Sequence, residues 1–238
     1  MSTPHPVSTR EAWIAARREL LAEEKQFTAL REQLSARRRA LPWLRLTQRY
    51  DFQGPKGPCT LSDLFGQRSQ LVVYHLMFAP EWDAACKSCS FWADNFERNV
   101  VHLAHRDVSF AAISRAPVAK LGAYAARMGW SFPWVSSGES SFNFDFGVSF
   151  SEAQLRSQQP LYNYGTITPR SSDLPGISVF HKDGDGAIFH TYSCYSRGID
   201  MLNGAYHYLD IVPKGRDESG SHKMSWVRFH DEYDRRAQ

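Results

Sequence analysis

Leu71-Val72-Val73-Tyr74-His75-Leu76-Met77-Phe78 is a continuous apolar run that tolerates one histidine, and Cys86-Lys87-Ser88-Cys89 follows it across a short loop, 79–85. An apolar run of this length, bounded by turn signals, fits a central strand buried on both faces. Beyond the cysteines, Trp92, Phe96, Val100 and Leu103 recur at helical spacing, so the chain continues as a helix with one apolar stripe. The kernel is therefore strand, Cys-x-x-Cys, helix.

Asp107 opens a second strand over 108–114. Pro117 sits where a helix begins, Val118, Leu121, Ala125 and Met128 line one face, and Gly129 ends it. A short strand or extended loop is expected over 132–136, and an irregular insertion over 137–173, where Ser, Asn, Gln and aromatics show little period. The β-rich runs 177–182 and 187–194 flank Asp183-Gly184-Asp185-Gly186, a hairpin signal. A final helix is expected over 199–210, then a charged, loosely packed tail. Strands alternating with helices imply parallel pairing, and the hairpin adds antiparallel strands. The expected fold class is α/β, a thioredoxin-like three-layer sandwich with a central mixed sheet and a long N-terminal helical arm. The expected domains are the arm 1–42, the thioredoxin-like domain 43–213 and the tail 214–238.

Upstream of the kernel, Tyr50-Asp51-Phe52 is strand-like, 54–58 carries turn chemistry, and 60–65 followed by Gly66 predicts a helical turn. Residues 8–40 read as one long helix opened by a capping box, Ser8 with Glu11, and ended by Pro42. Trp13, Ala16, Leu20, Phe27, Leu30, Leu34 and Leu41 fall on heptad positions, with Glu23 interrupting the stripe. Such a seam packs on its own domain or on a partner chain, and the reading leans to a homodimer through residues 8–40.

The formal net charge of +3 is uneven: residues 1–49 hold ten Lys/Arg against five Asp/Glu. Arg37-Arg38-Arg39 reads as a solvated helix end complementing the helix dipole, and no nucleic-acid module is expected. The N-terminus lacks the apolar region of a secretory signal, and no apolar stretch approaches the roughly 20 residues that span a bilayer. No membrane partner and a cytoplasmic location are the expectations. In a reducing compartment four cysteines do not form a structural disulfide framework, so the close pair needs a chemical explanation.

Cys86 would sit at a helix N-terminus, where free amides and the helix dipole stabilise a thiolate, with Lys87 adding to this. Cys89 lies one turn on, close enough to resolve a mixed disulfide. The competing readings are inert core cysteines and half of a zinc site. Zinc would recruit His102 and His105, but these lie about 20 Å further along one continuous helix. No metal and no cofactor are expected. Cys194 reads as a strand residue and Cys59 as a loop residue with a regulatory or resolving option. His75 reads as a hydrogen-bonded core residue, or a proton shuttle if it reaches the dithiol. Glu81 and Asp83 are candidate bases for Cys89 or loop solvation. Trp82, Trp92, Trp130 and Trp134 would line a groove over the sulfurs or fill the core.

The segments 74–82, 86–94 and 101–107, with Ser114-Arg115-Ala116-Pro117, resemble a bacterial thioredoxin-like family of unknown function, catalogued as predicted dithiol–disulfide oxidoreductases. Further support comes from Arg127-Met128-Gly129-Trp130, Pro133-Trp134-Val135-Ser136-Ser137, 175–180 and the 38–43 hinge. The resemblance implies the fold and, less directly, the activity. It departs from thioredoxins in having Ala85, not Trp, before the first cysteine. Pro175 is the nearest candidate for the proline that thioredoxins set opposite the dithiol, and counting back from Gly184 puts Gly176 at that place. The peroxiredoxin pattern fails too, since Ala84 and Lys87 stand at its Thr and Cys offsets from Pro80. The expected function is thiol–disulfide exchange, with Cys86 nucleophile and Cys89 resolving, supported by Pro80, Trp82, Lys87, Ser88, Trp92, Pro175 and Gly176. Its expected partner is a disulfide-bearing protein or a small thiol or disulfide. The alternatives are a thiol-dependent peroxide reductase and a non-enzymatic redox-sensing or dimerising scaffold.

Overall fold

The computed structural model describes residues 5–218 and 223–233. The chain divides into two compact units, 1–42 and 43–238. The first holds a single helix, α1 (Arg10–Arg39), in which no residue is buried. Thr9, not Ser8, is its cap: the Thr9 hydroxyl accepts from the Ala12 amide at 3.3 Å. The predicted capping box does not form: with Thr9 as cap its third position is Ala12, whose side chain cannot return a bond, and Glu11 falls outside the box position.

In the second unit the strands are β1 (Leu44–Arg45), β2 (Asp51–Gly54), β3 (Gly57–Thr60), β4 (Gln70–His75), β5 (Val108–Ser114), β6 (Trp134–Ser136), β7 (Gly176–Lys182) and β8 (Ile188–Tyr195). They form one eight-stranded sheet in the order β1-β8-β7-β4-β5-β6-β2-β3. β4 runs parallel to β5, from Gln70 opposite Val108 to His75 opposite Ile113. It runs antiparallel to β7, with His75 opposite Gly176. A parallel β-α-β unit flanked by an antiparallel hairpin, in the order β5-β4-β7-β8, is the thioredoxin-like arrangement. The β2–β3 hairpin, which the turn residues 54–58 announced only as a turn, extends the sheet beyond β6.

Both faces are covered, which gives three layers. Val72, Tyr74, Phe110, Ala112 and Ile177 point to one face, which packs α3 (Lys87–Phe96), α5 (Val118–Met128) and α9 (Gly204–Leu209). Leu71, Val73, Ala111, Ile113 and Phe180 point to the other, beneath α2 (Leu61–Leu64), α6 (Phe142–Asp145), Tyr50 and Phe52. This alternation is why the strands read as unbroken apolar runs.

Four expectations change. The helix after the dithiol breaks at Glu97–Asn99 into α3 and α4 (Val100–Ala104), so its stripe spans two elements. The insertion 137–173 holds α6, α7 (Glu152–Ser157) and α8 (Tyr162–Gly165), the last with left-handed Asn163 and Tyr164 inside it. The final helix splits at Asn203 into a 3₁₀ stretch (Ser196–Leu202) and α9, because the Asn203 side chain caps the Tyr206 amide. The tail after Pro213 is packed where it is described. Val227 is fully buried, Trp226 meets Phe91 edge-on at 5.5 Å, and Arg127 binds Asp231 through two hydrogen bonds of 2.9 Å. Apolar residues among the charges hold it to α3 and α5, and the predicted boundary at 213 is not a structural one. Residues 219–222 and 234–238 of that segment lie outside the described residues.

Candidate active site

The chain leaves β4 at His75 and returns to the sheet end at Cys86, whose amide donates to the Met77 carbonyl at 3.0 Å. Cys86 then caps α3 with extended backbone (φ −60°, ψ 125°) and no side-chain cap of its own, so the first amides of the helix stay open toward its sulfur. Lys120 fixes the intervening loop, donating to the carbonyls of Pro80 (2.9 Å) and Trp82 (2.8 Å). On the helix side, Ser90 donates to the Cys86 carbonyl at 3.1 Å and meets the Tyr124 hydroxyl at 3.1 Å. Tyr74 donates to the Cys89 carbonyl at 3.3 Å.

The two thiols are unlike. Cys86 is half-buried and Cys89 buried, and all four cysteines are free. The Cys86 sulfur is faced by the Cys89 thiol, by the amides of Cys89 and Ser88 and by the Ser88 hydroxyl. Against the cost of burial, these donors bring the Cys86 thiol down to about 6. Cys89 goes the other way. Burial, then its bond to Cys86 and the charge there, push it well above its ordinary value, only partly offset by the Met77 amide and the Tyr74 hydroxyl. Tyr74, fully buried, is itself held protonated and remains a donor.

Of the expected supporting residues, Ser88 is at the sulfur. Lys87 opens the helix and is not among the main causes of the low Cys86 value, which come from Cys89 and Ser88. Pro80 and Trp82 serve through their carbonyls in the loop. Trp92 is a core residue: its indole donates to the Ile199 carbonyl at 2.9 Å and its ring packs edge-on against Tyr206. Trp130 and Trp134 are likewise buried in the core. Pro175 and Gly176 come to the sheet end from which the dithiol loop departs, because Gly176 pairs with His75. The peptide before Pro175 is trans, and the Pro175 carbonyl accepts from the Tyr162 hydroxyl at 2.5 Å. Gly176 is required by crowding, since a Cβ there would lie 2.7 Å from the Tyr195 ring.

The remaining candidates are elsewhere. His75 follows Tyr74 and so faces the opposite side of the sheet, where it bonds Ser178 at 2.8 Å and stacks on Phe142; the shuttle reading is excluded. Glu81 turns to Ser172 and Arg115. Cys59 lies on β3, four strands from β4, roughly 19 Å at ordinary strand spacing. Cys194 lies on β8 in the same apolar cluster as Cys89. Among the described residues no group of three or more His, Cys, Asp or Glu could hold a metal ion. None of their helices is long and apolar enough to cross a membrane.

Sequence reasoning missed Tyr74, Ser90, Tyr124 and Lys120. Ser90, one turn after Cys86, carried a faint signal as a hydroxyl in the first turns of the helix. The others reach the site only through the packing of β4 and α5. It also missed the pair that anchors the insertion, Arg115 with Asp173, two bonds of 2.8 Å with both side chains largely buried.

Sheet order and dithiol together define a thioredoxin-fold protein with a Cys-x-x-Cys at a helix N-terminus. A family model described as a bacterial protein of unknown function (DUF899) matches residues 2–233. The chain belongs to that family. No curated protein matches it. Among solved structures it is similar to the peroxidoxin BcpB of Mycobacterium tuberculosis, at 18% identity and TM-score 0.45, over 68% of this chain and 92% of that one. It is also similar to a peroxiredoxin Q of Xanthomonas campestris (17%, TM-score 0.45, 65% and 87% covered). A third is the mitochondrial 2-Cys peroxiredoxin of Plasmodium falciparum (14%, TM-score 0.41, 74% and 95% covered).

Proposed function

We propose that this protein is a thiol–disulfide oxidoreductase working through Cys86 and Cys89. The observation that carries the reading is the placement of the two thiols: half-buried Cys86 caps the N-terminus of α3 and buried Cys89 lies one turn on, and the donors around Cys86 bring its thiol down while burial pushes Cys89 up. At neutral pH Cys86 is the nucleophile. Its thiolate attacks one sulfur of a disulfide RSSR′, forming a Cys86–SR mixed disulfide and expelling R′S⁻. Cys89 then gives up its proton and attacks the Cys86 sulfur, expelling RS⁻. The substrate disulfide has gained two electrons and the protein dithiol has become a disulfide. A second thiol or dithiol reverses these steps and regenerates the pair. The partner is a disulfide-bearing protein or a small disulfide, and no cofactor enters the scheme.

Because donors stabilise the Cys86 thiolate, they stabilise the reduced form and make the pair a better oxidant. The test is turnover of a small aromatic disulfide and, in parallel, of hydrogen peroxide, with dithiothreitol as donor. Disulfide turnover lost in Cys86→Ser supports the reading. Turnover of peroxide alone replaces it with the peroxide-reductase reading, and turnover of neither leaves the scaffold.

A further inference from the structure

We propose that α1 is an intermolecular arm, through which two copies of this chain pair as an antiparallel two-stranded coil with Glu23 of each copy against Arg37 of the other. The proposal is independent of the thiol chemistry.

No residue of α1 is buried. Trp13, Leu20, Phe27, Leu30 and Leu34 are 61%, 50%, 66%, 62% and 44% exposed. With Ala16, Glu23 and Arg37 they occupy positions 13, 16, 20, 23, 27, 30, 34 and 37, the alternating steps of three and four that define the seam of a two-stranded coil. At 1.5 Å per residue the helix is about 45 Å long. An apolar stripe of that length is an association surface rather than a solvated face.

The orientation follows from charge. Glu23 and Arg37 both occupy seam positions. Parallel, in-register pairing would set Glu23 on Glu23 and Arg37 on Arg37. An antiparallel pairing that stacks Phe27 on Leu30 of the second copy sets position 23 beside position 34, one turn from the second copy's Arg37. The two long side chains then meet across one layer. The charges agree: in this register the two helices overlap over 18–39, where residues 18–24 hold one basic and three acidic side chains and 33–39 hold three basic and none acidic, so −2 lies against +3. Parallel pairing would set +3 on +3. The same pattern disfavours an anionic lipid surface as occupant. Amphipathic helices that lie on such surfaces keep carboxylates off the apolar face, and here Glu23 sits within the stripe between Glu19 and Glu24.

The test is sedimentation equilibrium of the full chain, kept reduced so that no thiol bridges copies, with circular dichroism to confirm that each variant is folded. The wild type is expected to dimerise in the micromolar range. Glu23→Arg sets Arg against Arg, Arg37→Glu sets Glu against Glu, and each is expected to weaken the dimer by about tenfold or more. The double variant E23R/R37E exchanges the charges and is expected to recover to within about threefold of wild type. A parallel coil would be nearly indifferent to each single reversal, because like would still face like. A wild type that stays monomeric, single variants that match it, or a double variant as weak as the singles overturns the proposal. So does a monomer that instead binds vesicles of phosphatidylserine through α1.

Discussion

Tyr74 and His75 are neighbours in one strand, yet the two faces of the sheet use them in opposite ways. On the Tyr74 face a protonated hydroxyl reaches the dithiol helix, and every donor near Cys86 lowers its thiol. On the His75 face the imidazole bonds Ser178, Ser178 bonds Ser193, and Ser193 meets His190, each within 2.8 Å. There burial holds His75 neutral, brought down to about 3. One face tunes a reactive charge, and the other keeps a polar chain uncharged inside an aromatic core. Period-two alternation enforces the division, since no side chain of β4 can serve both faces.

The largest expected effects lie at the sulfurs. Cys86→Ser should lower disulfide exchange by at least about a hundredfold, because no other thiol has its donors. Cys89→Ser should instead accumulate the mixed disulfide, visible as an added mass on the intact protein. If Cys89→Ser turns over normally, the resolving role is wrong.

Next in size is Gly176→Ala at the sheet end both faces share. Its methyl would meet Tyr195 and Val148 at 2.7 and 3.1 Å, and it should cost about 1–3 kcal/mol in urea unfolding. Full stability would mean that β7 can shift away from β8 without loss.

His75→Leu sharpens the contrast between the faces. It removes a buried hydrogen bond and should cost about 1–2 kcal/mol, while the pH at which Cys86 becomes half-alkylated stays fixed. A moved alkylation midpoint would show that the faces communicate. Tyr74→Phe should do the reverse at smaller cost: stability changes by under about 1 kcal/mol, but the resolving step slows several-fold as Cys89 loses a donor to its thiolate. Rapid-quench measurement of mixed-disulfide decay separates the two.

The pH dependence has a definite sign. The folded Cys86 thiol lies below its ordinary 9.0, so it contributes stability that is complete above about pH 9 and lost as pH falls through about 6. Between those limits the reduced wild type should gain stability on Cys86→Ser as pH rises.

Much of this was legible beforehand. The apolar run at 71–78 named the central strand because burial on both faces leaves no alternation to confuse it. Pro117 and Gly129 bounded α5 because each has a fixed backbone role. Cys86 at a helix start followed from loop length and helical spacing. What was hidden depends on tertiary packing. The break after Phe96 has no proline or glycine to mark it. Which face His75 takes depends on strand register. Tyr124 and Lys120 reach the dithiol only because α5 packs beside α3. The tail looked polar because its anchors, Trp226 and Phe229, are single aromatics among charges.

The most direct test is a redox titration of the Cys86/Cys89 pair in glutathione buffers, read by thiol alkylation. The pair should show a reversible two-electron transition between about −120 and −270 mV, absent in Cys86→Ser. A pair that stays reduced across that range would contradict the dithiol mechanism.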